Sequence, residues 1–135
     1  MRSITLFLFA ALVCVPSSAR AQQLPGNPNS GTVTVSTSMV NTLSPYTNRT
    51  GGTIQILSSG TLTNSSTLTT DGMLNNSGTL TNQNYLTILN NGTLNNSGTL
   101  NNMGDGTLTN LGDLRNLAGG TLNNDNQINN IYGGF

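Results

Sequence analysis

The sequence predicts an all-β fold, a parallel β-helix (β-solenoid) built from short stacked coils. Two observations predict it. First, a leucine recurs every six or eight residues from Leu62 to Leu122, within a background of Thr, Asn, Ser and Gly. Second, this spacing and composition do not suit a helix. Leucines six or eight residues apart do not share one face of a 3.6-residue helix, and Asn, Gly and Thr are poor helix formers. Short strands separated by tight turns fit this pattern, and a helix does not.

The repeat comprises eleven units aligned on the third residue, which is Leu in ten of them and Ile128 in the last. The first position is Gly in eight units, the second is Thr in seven and the fifth is Asn in nine. The units, each with its first residue number, are GTLTNS (60), STLTTD (66), GMLNNS (72), GTLTNQ (78), NYLTILNN (84), GTLNNS (92), GTLNNMGD (98), GTLTNL (106), GDLRNLAG (112), GTLNND (120) and NQINNIYG (126).

The number of units in one coil is open to two interpretations. From residue 84 octads and hexads alternate, so pairing the units gives a two-sided coil of about 12 to 14 residues. Grouping the units by threes gives a three-sided coil of about 18 to 22 residues. Stacked coils favour a constant length, so we prefer the two-sided coil and keep the three-sided coil as the alternative. The alternation further predicts that the octads bulge on one side and leave the hexad side flat.

Each unit contains a minimal strand, Thr-Leu-Thr or Thr-Leu-Asn, whose side chains point outward, inward and outward. Asn at the fifth position and Gly at the first are predicted to bracket a sharp turn, because both tolerate left-handed backbone. Stacked Asn side chains can form amide ladders. The predicted core consists of Leu62, Leu68, Leu74, Leu80, Leu86, Leu94, Leu100, Leu108, Leu114, Leu122 and Ile128.

The N-terminal residues have the pattern of a secretory signal. Met1-Arg2-Ser3 precedes an apolar run from Ile4 to Val15, and Ala19-Arg20-Ala21 offers the small residues that signal peptidase accepts. Residues 1–21 are therefore expected to be removed after Ala21, which places the chain outside the cell or at the cell surface. Residues 22–30 are predicted to be a linker, residues 31–59 irregular N-terminal coils, and residues 60–135 an apparently truncated solenoid.

The composition excludes most chemistry. Removal of the signal takes away Cys14 and leaves two arginines against four aspartates, a net charge of −2, with no Lys, Glu, His or Trp. General acid–base catalysis and nucleophilic catalysis lack their usual groups. We therefore expect no enzyme, no cofactor and no metal site. No basic patch is present for nucleic acid, and the apolar run at the N-terminus is too short to span a membrane.

One side of the two-sided coil carries hydroxyls without a break, which makes it a candidate binding ladder. Thr-x-Thr ladders of this kind resemble those of insect antifreeze solenoids, so ice or a polysaccharide is a candidate ligand. Preference of Thr for exposed strand positions also explains the pattern. The ladder consists of Thr67, Thr79, Thr93, Thr107 and Thr121 at the second position and Thr69, Thr81 and Thr109 at the fourth.

The register "GTLNNSGTLNN" behind a secretion signal resembles the repeat regions of bacterial filamentous-haemagglutinin-like adhesins and autotransporter passengers. The likeness covers about residues 52 to 135. It implies a parallel β-helix at the cell surface, a structural or adhesive module that acts through its rigid repetitive surface. A host surface, a glycan or another solenoid would be its partner. The chain stops at Gly134-Phe135 without a visible cap, which suggests end-to-end self-association.

Overall fold

The computed structural model describes residues 21–42 and 45–131, so the predicted signal peptide lies almost entirely outside the described residues. The described residues form strands and turns, with no helix, which confirms the predicted all-β solenoid. The described part of the chain therefore contains no helix able to cross a membrane. The strands are β1 (Gln22–Gln23), β2 (Thr32–Val35), β3 (Ser38–Asn41), β4 (Tyr46–Asn48), β5 (Thr53–Ile56), β6 (Thr61–Asn64), β7 (Thr67–Thr70), β8 (Met73–Asn76), β9 (Thr79–Asn82), β10 (Tyr85–Ile88), β11 (Thr93–Asn96), β12 (Thr99–Asn102), β13 (Thr107–Asn110), β14 (Asp113–Asn116), β15 (Thr121–Asn124) and β16 (Gln127–Asn130).

The strands form three parallel sheets, which the chain visits in rotation. Sheet A has the order β1-β3-β6-β9-β12-β15, sheet B the order β16-β13-β10-β7-β4, and sheet C the order β14-β11-β8-β5-β2. From β2 onward the chain runs through sheets C, A and B and then returns to C. A coil is thus three successive strands, one from each sheet.

The preference for the two-sided coil is wrong. In sheet A, Leu80 pairs in register with Leu62 on one side and with Leu100 on the other. The same stacking brings Asn64, Asn82, Asn102 and Asn124 together, at sequence separations of 18, 20 and 22. These are the steps that grouping the units by threes gives. The third unit of each coil therefore builds its own sheet.

The octads do not widen one side of the coil, because their two extra residues leave its path. Each strand from β6 onward has four residues. A hexad adds a two-residue corner, whereas an octad adds a four-residue turn closed by its own backbone hydrogen bond. Gly92 N donates to Leu89 O, Gly106 N to Met103 O and Gly120 N to Leu117 O, at 2.8 to 2.9 Å. These three turns lie at three different corners of the solenoid. Coil length can therefore vary while the strands stay in register. The two-sided interpretation had assumed that strands can stack in register only if every coil has the same length.

Both inward positions of each strand fill the interior. The predicted core leucines from Leu62 to Leu108 are fully buried, whereas Leu114, Leu122 and Ile128 in the last described strands are partly buried and pack against that core. The second inward position holds Asn in most strands; these amides are buried up to Asn110 and exposed in the last three strands. The buried polar residues are Asn29, Asn41, Asn48, Asn64, Thr70, Asn76, Asn82, Asn96, Asn102 and Asn110.

The buried Asn side chains form the predicted amide ladders, in the interior of the solenoid. In sheet A an unbroken ladder links Asn41, Asn64, Asn82, Asn102 and Asn124, each Nδ2 donating to the next Oδ1 over 2.7 to 2.8 Å. The second amide hydrogen reaches across a corner to the next coil: Asn64 Nδ2 also donates to Tyr85 O at 2.8 Å. Asn fits this position because its short amide carries two donors and one acceptor, whereas a carboxylate would carry no donor.

In sheet C the ladder starts above an apolar residue. Asn76 Nδ2 donates to Asn96 Oδ1 at 2.7 Å, but Asn76 pairs on its other side with Ile56, which offers no donor. Within the described residues, Asn76 Oδ1 is accordingly the buried side-chain atom that has no hydrogen-bond partner. In sheet C, the start of the ladder therefore costs one unsatisfied acceptor.

The glycines at first unit positions serve close stacking, not left-handed backbone. A Cβ on Gly78 would overlap the carbonyl oxygens of Leu57 and Gly60 in the preceding coil, and Gly78 has no positive φ. Within the described residues, positive φ occurs at Gly26, Gly51, Gly104 and Gly119 and at no other residue type. The expectation that Asn and first-position Gly adopt left-handed backbone is therefore wrong.

Residues 22–30, expected to be a linker, begin with β1, which pairs with β3. Leu24 is buried, and its N–H donates to Val40 O at 2.8 Å. Tyr46 packs in the same end of the core, and its Oη donates to Pro25 O at 2.6 Å. This segment covers the apolar interior that the first coil would otherwise expose, which is why a Pro- and Asn-rich stretch is ordered here.

Candidate functional surface

Each sheet presents one outward face, and the predicted threonine ladder is divided among all three. Thr67, Thr69, Thr107 and Thr109 lie on sheet B, Thr79, Thr81 and Thr121 on sheet A, and Thr93 on sheet C. The predicted adjacency of Thr93 and Thr107 is wrong, because these residues lie in β11 and β13, which belong to different sheets. The ladder as predicted does not exist, for the same reason that the two-sided coil does not.

Sheet A nevertheless carries an unbroken column of hydroxyls. Ser38, Thr61, Thr79, Thr99 and Thr121 pair in register on five successive strands. The neighbouring outward column is Val40, Thr63, Thr81, Asn101 and Asn123. None of these ten residues is charged or aromatic, so the face, which we call face A, is neutral and is lined by small and medium-sized side chains.

The outward face of sheet B carries a second hydroxyl column and one aromatic side chain, Tyr85. Thr47, Thr69, Thr87 and Thr109 pair in register. The column beside them runs from Thr67 through Tyr85 to Thr107 and Gln127. Tyr85 is 56% exposed, the largest exposure among the large hydrophobic residues that the structure describes. We call this surface face B.

Sheet C has the mixed face, which we call face C. Its first outward column is Thr32, Thr53, Met73, Thr93 and Asp113, and its second is Thr34, Gln55, Asn75, Asn95 and Arg115. Asn95 Nδ2 donates to Asn75 Oδ1 at 2.9 Å, so part of the second column is bonded to itself. Arg115 and Asp113 form an exposed ion pair at 2.6 Å, a kind of contact that contributes little to stability.

At the corner between sheets B and C, Asp71 connects three successive coils. Its carboxylate accepts hydrogen bonds from Thr50 Oγ1 and from Asn91 Nδ2, the latter at 3.1 Å. Thr50 and Asn91 lie in protruding four-residue turns, and Asp71 lies in the short corner between them. The hydrogen bond from Thr50, and then those from Asn91, lower the pKa of Asp71.

Elsewhere in the described residues, Tyr46 is a buried titratable group. Burial raises the pKa of Tyr46 to about 12. Within residues 21–42 and 45–131, no group of three or more His, Cys, Asp or Glu is placed to hold a metal ion. A depression of about 380 Å³ lies at the last described coil, lined by Asn110, Gly112, Asp113, Leu114, Ile128 and Asn130. Its lining contains a single carboxylate and no base.

The sequence-based interpretation missed the other hydroxyl and aromatic residues of these columns: Ser38, Thr61, Thr63 and Thr99 on sheet A, and Thr47, Tyr85 and Thr87 on sheet B. A signal for them is present in the sequence. Reading every third unit from residue 60 gives Thr61, Thr79, Thr99 and Thr121 at the second position without interruption. Only the choice of two units per coil hid this column.

Comparison with known proteins finds no matching family model, no matching curated protein and no matching solved structure.

Proposed function

We propose that this chain is an exported structural or adhesive module that acts through the rigid, repetitive outer surface of its solenoid. The observation that carries the proposal is the unbroken interior of the rod. Buried leucines and amide ladders stack coil on coil, and each Asn of the sheet A ladder from Asn41 to Asn102 also bonds to a backbone carbonyl across a corner. Such an interior holds the outer side chains at fixed intervals, whatever those side chains are.

The distribution of polar groups supports a passive surface over catalysis. Asp71 is engaged by Thr50 and Asn91, Asp113 is paired with Arg115, and the chain has no His, Lys or Glu that could act with its aspartates. A catalytic site needs an acid and a base that converge on one reacting atom. Secretion, predicted from residues 1–21, is part of the same proposal, because a rigid rod without thiols suits an extracellular surface.

Adhesion can be tested with beads coated with the chain from Gln22 onward. We expect these beads to adhere to cells or to extracellular polymers more than beads coated with an unrelated neutral protein of similar size. The matched control is the unfolded chain: beads coated with chain that was first unfolded in denaturant should not show this adherence. Equal adherence of all three kinds of bead would contradict an adhesive role.

Face A favours a second candidate, binding to ice. Its hydroxyl column from Ser38 to Thr121 repeats at the strand spacing of about 4.8 Å, and the face lacks charge, so an ordered lattice of water could match it. Thermal hysteresis and ice recrystallisation assays test this function. The double variant Thr79→Lys and Thr99→Lys should abolish activity, while the double variant Thr53→Lys and Thr93→Lys on face C should preserve it. Absence of activity in the unaltered chain would dismiss this candidate.

A further inference from the structure

Tyr85 interrupts a column of hydroxyls on face B. It pairs in register with Thr67 on one side and with Thr107 on the other, and Thr87 lies two residues further along the same strand, on the same face. Neighbouring strands are about 4.8 Å apart and residues i and i+2 of a strand about 6.6 Å apart. Three threonines therefore flank Tyr85 on the same face, at these backbone spacings.

The fold does not explain a tyrosine at this position. The equivalent outward position is Thr in the strands before and after it in sheet B, and Thr in four of the five strands of face A. Tyr85 is 56% exposed, whereas the buried Tyr46 is 2% exposed. An exposed aromatic side chain contributes little to stability but provides a large, rigid contact area for a ligand.

The surroundings of the ring restrict the ligand chemically. The outward residues of face B are Thr47, Thr67, Thr69, Tyr85, Thr87, Thr107, Thr109, Gln127 and Asn129, and none is charged. A charged ligand would lose hydration at this face without gaining a counter-charge. The two arginines of the described residues, Arg49 and Arg115, lie outside face B, so the face does not offer the contacts that nucleic acid needs. A fitting ligand is neutral, rich in hydroxyls, and apolar on one side.

We infer that face B is a binding site for neutral sugars, in which a pyranose ring stacks on Tyr85 while its hydroxyls bond to Thr67, Thr87 and Thr107. The C–H groups on one side of a pyranose carry slight positive charge, and the face of an aromatic ring carries slight negative charge. The threonine column from Thr47 to Thr109 extends beyond the ring in both directions along the solenoid. An extended polysaccharide parallel to the axis would meet further hydroxyls there. This inference rests on the proposed adhesive function and gives it a ligand class.

The test measures binding of the chain from Gln22 onward to a printed panel of neutral hexose and N-acetylhexosamine oligosaccharides, with polygalacturonate and dextran sulfate as charged probes. Three variants are compared with the unaltered chain. Tyr85→Ala removes the ring, Tyr85→Phe keeps it, and Met73→Ala removes an exposed side chain at the equivalent strand position on face C. Circular dichroism checks that each variant retains the solenoid.

We expect binding to neutral sugars alone. Tyr85→Ala should weaken it by up to about tenfold, the usual value of one aromatic contact, and Tyr85→Phe by much less. Met73→Ala should have no effect. The Tyr85 ring signals should shift on titration with the sugar that binds, while those of Tyr46 should not. Binding of charged polymers alone, of no probe, or equally by the Tyr85→Ala variant would overturn the inference.

The same variants separate this inference from the adhesive function. If Tyr85→Ala beads adhere as well as unaltered beads, the adhesive function stands and the sugar site is wrong. If the unaltered chain binds a sugar on the panel through Tyr85 but its beads adhere to nothing, the sugar site stands and the adhesive function is wrong.

Discussion

Asn64 Nδ2 donates to Asn82 Oδ1 across 2.8 Å, and both side chains are fully buried. The same Asn64 amide group donates its other hydrogen to Tyr85 O. The Asn64 side chain therefore bonds to the next coil twice, once within sheet A and once across the corner to sheet B. Because polar groups without partners are costly in an apolar interior, this arrangement stabilises the stack only while each Asn in the column is present.

Asn82→Ala should destabilise the fold strongly. The change deprives Asn64 Nδ2 of its acceptor and Asn102 Oδ1 of its donor, and each buried unsatisfied group costs about 1 to 3 kcal/mol. We expect a loss of about 2 to 5 kcal/mol in the free energy of unfolding, measured by urea denaturation. The control is Asn101→Ala, whose outward side chain bonds to the exposed Asn123; a surface change of this kind costs about 0.5 kcal/mol or less. Similar losses in the two variants would show that the ladder adds nothing to stability.

Gly78→Ala should open the stack between two coils. The added methyl group would overlap the backbone carbonyls of Leu57 and Gly60, which cannot move without shifting a strand. Overpacking of this kind usually costs about 1 to 3 kcal/mol and sometimes more. Gly31 is the matched control, because a Cβ there meets no atom within 4 Å and its φ is not positive. Differential scanning calorimetry should show a large fall in Tm for Gly78→Ala and almost none for Gly31→Ala; equal Tm values would refute the close-stacking role.

Leu94→Ala should cost about 2 to 5 kcal/mol, the range for a buried leucine whose site cannot collapse. Leu94 is fully buried and pairs in register with Leu74 and Leu114. Thr93→Ala, one residue earlier and outward, should be nearly silent. Leu122→Ala should fall between them, since Leu122 is only partly buried. Denaturant midpoints for the three variants test this order, and a larger loss at Leu122 than at Leu94 would contradict it.

The corner clamp at Asp71 should respond to acid. Its pKa is held below the ordinary value of 3.8, chiefly by the hydrogen bond from Thr50. A carboxylate with a depressed pKa in the folded state adds stability that is complete above its unfolded pKa and is lost as pH falls through its folded pKa. The stability difference between the unaltered chain and Asp71→Asn should therefore shrink below about pH 4.

Thr50→Val should raise the pKa of Asp71 toward its ordinary value, because the largest cause of the depression is removed. The measurement is the titration of the Asp71 carboxyl carbon by NMR. Thr47→Val, on face B away from this carboxylate, serves as the control and should leave the titration where it is. An unchanged midpoint in Thr50→Val would show that the hydrogen bond does not form in solution.

Much of the fold follows from local patterns. The third-position leucines predict inward residues, the flanking threonines predict outward ones, and the fifth-position Asn predicts amide ladders, because side chains alternate along any strand. These properties depend on near neighbours in the chain, within one repeat unit. For the candidate site, the sequence predicted the kind of surface, one lined by hydroxyls, but not which residues are neighbours on it. Thr67 and Thr69 point outward in both the two-sided and the three-sided coil, but their neighbours differ between the two.

The number of strands in a coil depends on contacts between residues three units apart in the chain, and no local pattern specifies it. Hexads and octads alternate as a two-sided coil would require, yet Leu80 pairs with Leu62 and Leu100. The reason is that the extra residues of an octad close a β-turn outside the coil, as Gly92 N does on Leu89 O, so unequal units still stack in register. The position of Tyr85 between Thr67 and Thr107 follows from that three-strand stacking, and with it the composition of every outward face.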